Sequence, residues 1–327
     1  MQSFLSEYGI FLLELLTVAI IVVVGFLIVF SAARKPHEQS HLTVEHINKS
    51  VEQRTDAIRR TILGRRDSRK LVRERKKEEK QSKKKDESES RRKRIFVLDF
   101  KGDIRATATA SLREEISAVL EIAETDDEVL VRLENAGGAV HDHGLAASQL
   151  LRLRARGIPL TIAVDKVAAS GGYLMACAAD KIIAAPFAVI GSIGVLLQMP
   201  NFHRLLDEKG IDFEQITAGR FKRTLTVFGE NTDEGREKMK EELAEVHDLF
   251  QTRIKELRPA VDMELVATGE HWYGSRALEL NLIDEIGTSD DFLLGAAETA
   301  DLFKLSFKRH MKFIERMLHG VEGLLYR

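Results

Sequence analysis

The chain has 327 residues, which is long enough for one large domain or two moderate ones with a sizeable hydrophobic core. Its 49 Lys and Arg almost balance its 51 Asp and Glu, but residues 65–94 alone hold 16 Lys and Arg against 7 Asp and Glu. This segregation predicts a basic arm attached to a more acidic domain. The single cysteine, Cys177, excludes an internal disulfide framework, and we interpret it as a small core residue.

An uncharged apolar run of 19 residues extends from Leu15 to Ala33, close to the roughly 20 residues that a helix needs to cross a bilayer. A cleaved signal peptide is the alternative, because Ser31-Ala32-Ala33 resembles a cleavage site. Against it, the leading segment carries Glu7 and Glu14 but no basic residue, and the apolar run is too long. Residues 1–33 are therefore predicted to be an N-terminal region with one retained transmembrane helix.

The membrane side of the remaining chain stays open. Arg34 and Lys35 come directly after the span, and this flanking charge favours a cytoplasmic location for the domain on its C-terminal side. Long domains, however, translocate largely regardless of charge.

Residues 34–94 are predicted to be a charged basic linker, either flexible or helical. The segment is poor in proline and has only scattered Val, Ile and Leu between its charges. A solvated spacer is one interpretation, and attraction to anionic lipid headgroups near the anchor is the other. Nucleic-acid binding is not expected, because no aromatic residue is interleaved with the basic ones.

Residues 95–301 show strands that alternate with helices. The segments with strand character are Ile95–Phe100, Val129–Leu133 and Pro159–Val164, and those with helical spacing are Leu112–Ala123 and Gly144–Arg156. Alternation of this kind predicts an α/β fold, in which right-handed βαβ units surround a mainly parallel sheet.

The run from Ile182 to Phe202 contains no charged residue and has the length of a second membrane span. Pro186, Gly191, Gly194 and Pro200 divide it into short pieces, so we predict buried strands and turns inside the domain instead.

The second half of the domain is predicted to contain two short helices, a strand, a loop and one long charged helix. In chain order these are Phe202–Lys209 (helix), Asp212–Thr217 (strand), Ala218–Arg223 (loop), Thr232–Leu257 (long helix, capped by Asn231 or Thr232) and Gly274–Asn281 (helix). From Phe303 onward, apolar residues recur at spacings of three and four, which predicts a C-terminal amphipathic helix over residues 302–327. This helix is expected to pack on its own domain or on a neighbouring subunit, or to lie on the membrane surface.

The stretch with the strongest catalytic character comes after the third strand and contains Ser170-Gly171-Gly172. A strand, a tight turn that holds one serine, and then a helix form the geometry that exposes a nucleophile. Small neighbours let the backbone bend and let a substrate carbonyl approach closely. The helix N-terminus behind Ser170 would favour negative charge that develops there.

A serine hydroxyl needs a base to become a useful nucleophile. None of the histidines in this part of the chain stands in a pattern that points at Ser170; they are His141, His143, His203, His247 and His271. A lysine serves instead if burial lowers its pKa from about 10.4 towards neutrality. By composition alone, Lys222 is one of several candidates.

Four short motifs occur in order, namely Asn135–Gly138, Val167–Tyr173, Gly191–Val195 and Ala218–Arg223. Their order and spacing resemble the signal peptide peptidase A family of membrane-anchored serine–lysine peptidases, and most of all its SohB-type members. Further segments carry the SohB-type resemblance: Leu98–Gly102, Gly144–Leu150, Gly229–Thr232 and Ala267–Gly274. The resemblance covers about residues 95–295, plus the layout of anchor and linker.

This resemblance implies a Clp-protease/crotonase-like fold in which Ser170 is the nucleophile and Lys222 the general base. It further implies that the Ser192 hydroxyl orients the lysine amine, and that the N–H groups of Gly137 and Gly171 form the oxyanion hole. Lys222 would accept the Ser170 proton, an acyl-enzyme would form, and water would release it. Gly137 and Gly171 could instead be turn glycines only.

The leading hypothesis is a serine endopeptidase, anchored by a single pass in the bacterial inner membrane, that acts on peptides such as signal-peptide or membrane-protein fragments. The resemblance favours a periplasmic catalytic domain, against the flanking charge, and a homo-oligomeric ring or dome. No cofactor or metal is predicted, because no metal cluster or phosphate-cradling loop is apparent. An acyl-CoA enzyme of the crotonase fold and a non-enzymatic membrane scaffold are the alternatives, and intact Ser170 and Lys222 argue against both.

Overall fold

The computed structural model describes residues 41–62 and 91–308, together with positions 13, 15–20, 22 and 23. The chain divides into two units, one made of Met1–His41 and Lys308–Arg327 and the other of Leu42–Phe307. Of the predicted anchor, residues 15–20, 22 and 23 are helical, and the rest of it lies outside the described residues. Among the described residues, no helix is both long and apolar enough to cross a membrane.

Strands and helices alternate along most of the second unit, as predicted. Its elements are β1 (His41–His46), α1 (Ile47–Ile62), β2 (Arg94–Lys101), α2 (Thr109–Ile122), β3 (Glu128–Glu134), α3 (Val140–Ala155), β4 (Leu160–Val164), β5 (Val167–Ala169), α4 (Gly171–Cys177), β6 (Lys181–Ala184), β7 (Val189–Gly191), α5 (His203–Glu208), α6 (Asp233–Leu257), α7 (Met263–Val266), β8 (His271–Tyr273), α8 (Gly274–Glu279), β9 (Glu285–Ile286), α9 (Ser289–Thr299) and β10 (Asp301–Lys308).

Seven strands form one sheet in the order β1-β10-β2-β3-β4-β6-β9, and all its pairs from β10 to β9 are parallel. A second sheet has three strands in the order β5-β7-β8. A parallel bridge between Asn135 and Ala168 connects the end of β3 to β5, the strand that leads to Ser170. The prediction of an α/β domain around a mainly parallel sheet is confirmed.

Both faces of the large sheet are buried, which explains why its strands are apolar at consecutive positions. On one face Leu98 of β2 packs in a core with Ile116 of α2 and Leu150 of α3. On the other face Val97 packs in a smaller core, which Phe292 of α9 covers in part. Each fully buried side chain of this size contributes roughly 1.5–3 kcal/mol of burial free energy.

Part of the predicted linker is an integral piece of the domain, which corrects the expectation of a free spacer for residues 41–62. β1 is an edge strand of the large sheet, and Ile47 of α1 packs against the smaller core. The Asn48 side chain accepts from the Leu302 N–H at 2.8 Å and donates to the Ala300 carbonyl at 3.0 Å. These bonds tie α1 to backbone groups at the start of β10, at Ala300 and Leu302. Residues 63–90 of the linker lie outside the described residues.

The prediction of a C-terminal helix is wrong for its first residues, because Asp301–Lys308 form strand β10. The strand pairs in parallel with β2, from Asp301 opposite Arg94 to Lys304 opposite Val97. Apolar residues do recur at helical spacing from Phe303 onward. The open edge of β2, however, offers backbone hydrogen bonds, and these stabilise a strand here more than the local spacing stabilises a helix. Residues 309–327 of the predicted helix lie outside the described residues.

The uncharged run from Ile182 contributes to the core of the domain, as predicted. It contains β6 and β7, and Ile182, Ile190 and Ile193 are buried. Beyond Ile193 the chain leaves the core, and Leu196 is 80% exposed.

Residues 195–231 form an excursion from the domain that we call the exposed segment. It contains α5, as predicted, and the predicted loop at 218–223. The predicted strand Asp212–Thr217 is wrong, because these residues are irregular and exposed. In the described part of the chain, no strand pairs with these residues, and Ile216 is 94% exposed. The long helix α6 then begins as predicted, with the Thr232 hydroxyl accepting from the Gly235 N–H.

Candidate active site

Ser170 lies at the sharp turn between β5 and α4. Its backbone has φ 51° and ψ −124°, close to the first central position of a type II′ turn, where glycine is favoured. A non-glycine residue held there costs about 1–3 kcal/mol, and such strain is concentrated at functional sites. The Ser170 N–H donates to the Gly191 carbonyl at 2.7 Å, and its carbonyl accepts from the Leu174 N–H of α4. Surrounding hydrogen bonds therefore fix the strained turn.

Gly137 lies against Ser170, as the resemblance implies. A Cβ atom at Gly137 would lie 2.7 Å from Ser170 Cβ and 2.8 Å from the Ala169 carbonyl oxygen, and its φ is 91°. The same position is 3.1 Å from the Gly171 backbone nitrogen. Glycine is thus required at 137 for both conformation and space, and the structure brings Ser170, Gly137 and Gly171 together.

Two further residues, Asn135 and His143, support this cluster. A Cβ atom at Gly171 would lie 2.5 Å from His143 Cγ, so the imidazole packs on the first residue of α4. The Asn135 Oδ1 atom accepts from the Gly137 N–H at 2.9 Å and lies 3.2 Å from His143 Nε2. The sequence interpretation placed Asn135 in a motif but missed His143. The available signal for His143 was its place on the buried face of α3, four residues after Ala139.

None of the histidines near these residues is oriented as a base for Ser170. Both ring nitrogens of His143 have other partners, the Ala139 carbonyl at 2.9 Å and Asn135 Oδ1. His247 Nε2 lies 3.3 Å from the Ile193 carbonyl oxygen, and its Nδ1 lies near Gln251.

Ser192 comes directly after β7 and has a left-handed backbone with φ 52°. Its N–H donates to the Glu270 carbonyl at 2.7 Å, and its hydroxyl donates to the Gly269 carbonyl at 3.3 Å. Because Gly191 receives the Ser170 N–H, Ser192 stands one residue beyond the strand that supports the nucleophile turn.

Lys222 is exposed in the loop 218–223 of the exposed segment. It lines a cavity of about 680 Å³ whose other lining residues are Met199, Phe213, Gln215, Ile216, Thr217, Ala218, Arg223, Leu225, Thr226, Val227 and Phe228. None of Ser170, Ser192, Gly137 and Gly171 lines this cavity.

Helix α4 is firmly anchored behind Ser170. The buried Tyr173 hydroxyl donates to the Leu282 carbonyl at 2.8 Å. Burial raises the pKa of Cys177 to about 12, with a hydrogen bond to Tyr173 acting in the opposite direction. This thiol is therefore protonated at neutral pH and is a core residue, as predicted.

Comparisons with known proteins place these features in context. The model of the N-terminal region of peptidase family S49 matches residues 3–150, and the model of peptidase family S49 matches residues 152–303. "Probable protease SohB" of Haemophilus influenzae is 44% identical over 327 residues, covering 97% of this chain and 92% of that protein. "Probable protease SohB" of Buchnera aphidicola from Acyrthosiphon pisum is 55% identical over 230 residues, covering 70% of this chain and 68% of that protein.

Solved structures also match. A lysine-to-alanine mutant of the 1510-N membrane-bound stomatin-specific protease, in complex with a substrate peptide, is 12% identical with a TM-score of 0.46. The match covers 71% of this chain and 99% of that one.

Proposed function

The chain belongs to peptidase family S49 and is a serine-type protease, and on that premise we propose that it is a membrane-anchored endopeptidase with a Ser170–Lys222 dyad. The strained turn at Ser170, with Gly137 packed against its Cβ atom, is the observation that supports this best. We further propose that the α/β domain has the Clp-protease/crotonase-like fold. Family membership favours a peptidase over an acyl-CoA enzyme or a non-enzymatic scaffold.

The proposed reaction has two halves. Neutral Lys222 Nζ takes the proton of Ser170 Oγ as this oxygen attacks the scissile carbonyl carbon, and the protonated lysine then gives that proton to the leaving amine. The product of this half is an ester between Ser170 and the acyl part of the substrate. In the second half, water attacks the ester with Lys222 again as base, which releases the carboxylic acid and restores Ser170.

In this mechanism, backbone N–H groups stabilise the negative charge of the oxyanion. The N–H groups of Gly137 and Gly171 would donate to the oxyanion of each tetrahedral intermediate, a contribution of about 3–4 kcal/mol for one such donor. The Ser192 hydroxyl would hold the Lys222 amine in place. It would have to exchange its present acceptor, the Gly269 carbonyl, for the amine.

A lysine acts as a base more readily when it is buried, because burial favours the neutral amine. We propose that homo-oligomer assembly covers the exposed segment and buries Lys222. Large apolar side chains exposed on this segment support assembly; they are Leu196, Leu197, Phe202, Leu205, Ile211, Phe213, Ile216, Phe221 and Phe228. Exposed apolar surface of this extent is typical of protein interfaces.

The proposed location is the bacterial inner membrane, with residues 15–33 as a single-pass anchor. The apolar sequence of this run supports it. Peptides of membrane origin, such as signal-peptide fragments, are the proposed substrates, because an anchored protease meets them at the membrane surface.

The decisive experiment is hydrolysis of fluorogenic casein by the full chain, by Ser170→Ala and by Lys222→Ala, from about pH 6 to 10. Both variants should lose activity, and wild-type activity should rise with pH as the lysine deprotonates. Lys209→Ala, an exposed lysine of the same segment, is the matched control and should stay active. Activity that survives in Lys222→Ala would rule out the dyad, and activity that survives in Ser170→Ala would rule out the nucleophile.

A further inference from the structure

The loop that carries Lys222 contacts helix α6 on its N-terminal side. The Arg220 guanidinium lies 2.5 Å from the Glu234 carboxylate. The Phe221 ring lies between two cations, 5.1 Å from Arg220 Cζ and 5.7 Å from Lys238 Nζ. Both side chains of the ion pair are exposed, and an exposed pair contributes only about 0–1 kcal/mol. This side of the loop is therefore held weakly.

The C-terminal side of the loop is held much more closely, at Gly235. A Cβ atom added there would lie 2.3 Å from the Thr224 carbonyl oxygen. Gly235 is buried in the first turn of α6, and its N–H donates to the Thr232 hydroxyl at 3.1 Å. Glycine lowers helix stability relative to alanine by up to about 1 kcal/mol, so a helical glycine needs a reason. The close approach of the Thr224 carbonyl, two residues after Lys222, is that reason.

Asn231 holds the chain a little further on. Its Oδ1 accepts from the Thr226 N–H at 2.8 Å, and its Nδ2 donates to the Thr226 carbonyl at 3.2 Å. The amide thus serves both backbone groups of one residue, and Asn231 directly precedes Thr232, the cap of α6. Two independent contacts, at Thr224 and at Thr226, therefore fix the chain that follows Lys222 on the start of α6.

The second half of α6 is built into the core beside the nucleophile turn. Ile254 is completely buried, in the same core as Tyr173 of α4. His247 Nε2 lies 3.3 Å from the carbonyl oxygen of Ile193, the residue after Ser192. A single continuous helix thus joins the loop of the proposed base to the elements that carry the proposed nucleophile.

We propose that Gly235 and Asn231 are positioning residues for the general base. They seat the loop of Lys222 on α6, which fixes where the lysine amine can reach. The inference rests on the proposed role of Lys222. Catalytic groups have to be held to within about 0.5 Å, and a misplacement of about 1 Å costs on the order of 100-fold in rate. A carbonyl packed against a helix backbone supplies this precision, since neither group can rotate away as a flexible side chain can.

The first test observes the loop directly and needs no activity. Gly235→Ala in the full chain would place its methyl group 2.3 Å from the Thr224 carbonyl oxygen, so the loop has to shift. Amide hydrogen exchange, followed by mass spectrometry, should then accelerate about tenfold or more in peptides that span residues 218–226. Peptides that contain Ser170 should keep their wild-type exchange rates. Gly295→Ala is the matched control, because it makes the same change in helix α9 with nothing within 4 Å of the added Cβ.

Asn231→Ala is the second variant, and it keeps the inference testable if Gly235→Ala does not fold. It removes both bonds to Thr226, so exchange should again accelerate in residues 218–226. Asn48→Ala is its matched control, since Asn48 also accepts from one backbone N–H and donates to one carbonyl, but beside β10. Both controls should leave exchange in residues 218–226 unchanged. Wild-type exchange of this segment in either Gly235→Ala or Asn231→Ala would overturn the role of that residue.

The second test separates positioning from a merely structural role. In hydrolysis of fluorogenic casein, Gly235→Ala should lose about 100-fold in kcat while KM changes less than about threefold. Asn231→Ala should show the same split with a smaller loss, and Gly295→Ala and Asn48→Ala should keep wild-type kcat. Unchanged kcat in folded Gly235→Ala, or a loss that is entirely in KM, would contradict the inference. If Lys222→Ala retains hydrolysis, the proposed function fails and the lysine needs no positioning, whereas the exchange rates still show whether α6 holds the loop.

Discussion

The backbone N–H of Ser170 donates to the carbonyl of Gly191 at 2.7 Å. This bond joins the turn between β5 and α4 to β7, the strand immediately before Ser192. The strained φ and ψ of Ser170 are thus held from outside its own segment, by a strand about twenty positions further along the chain. Because a neighbouring strand imposes the conformation, the turn is preorganised before any substrate arrives.

Gly137→Ala should abolish most activity. The new methyl group would lie 2.7 Å from Ser170 Cβ at a φ of 91°, so both the loop and the nucleophile must shift. We expect kcat to fall about 100-fold or more, as for the loss of one oxyanion donor. Gly157→Ala is the control, because Gly157 also has a positive φ but has nothing within 4 Å of the added Cβ. That variant should lose about 1 kcal/mol of stability and no kcat, and an equal kcat loss in both would refute the steric explanation.

Asp127→Asn should destabilise the fold at neutral pH. Asp127 is buried, which by itself would raise the pKa of its carboxyl group, but hydrogen bonds from Arg94 and Arg91 and from backbone N–H groups lower that pKa well below the usual range. Losing these charge-assisted bonds should cost about 2–3 kcal/mol in urea unfolding at pH 7.

The pH dependence of this effect has a defined sign. A lowered carboxyl pKa contributes stability above the unfolded pKa of about 3.9, and this contribution is lost as pH falls. The difference between wild type and Asp127→Asn should therefore shrink below about pH 4. Asp126→Asn, on the exposed neighbour, is the control and should change stability little at any pH. A wild-type advantage that stays constant into acid would contradict the ion-pair explanation.

Glu115→Gln should have the opposite pH dependence. Burial raises the pKa of Glu115, although the Phe307 N–H, which donates to it at 2.7 Å, acts against this. A raised carboxyl pKa makes the folded state lose stability as pH rises past the unfolded value of about 4.3. The variant keeps an acceptor for Phe307 without the charge, so it should gain stability relative to wild type between pH 4 and 7. Thermal unfolding would measure this, with exposed Glu114→Gln as control; a variant less stable at pH 7 than at pH 4, relative to wild type, would disprove it.

Asn48→Ala tests whether residues 41–62 are part of the domain. The variant loses the bonds to the Leu302 N–H and the Ala300 carbonyl, and we expect a loss of about 1–3 kcal/mol. Amide hydrogen exchange should accelerate at Leu302 and along β10 while β3 remains protected. Lys49→Ala, one residue away and without these bonds, should leave exchange at Leu302 unchanged. Unaltered exchange in Asn48→Ala would restore the interpretation of this segment as a free linker.

Much of the domain can be predicted from sequence because the signals are local. Strands such as β2 are apolar on both faces, and helices such as α6 begin at a recognisable cap at Thr232. The turn at Ser170 is predictable for the same reason, since a strand, a serine between small residues and a helix are consecutive in the chain. The roles of Lys222 and Ser192 came from resemblance, and they remain predictions.

Long-range contacts decided the rest. Phe303 begins a helical spacing, yet β10 pairs with β2 because an open sheet edge supplies backbone partners that no local pattern reveals. His143 looked unrelated to Ser170 in sequence, but α3 and α4 pack so that its ring touches Gly171. The sequence by itself determined the α/β alternation and the nucleophile turn, because each depends on neighbouring residues. Only the tertiary structure decided strand β10 and the contact of His143 with Gly171, because these depend on which surfaces meet when the chain folds.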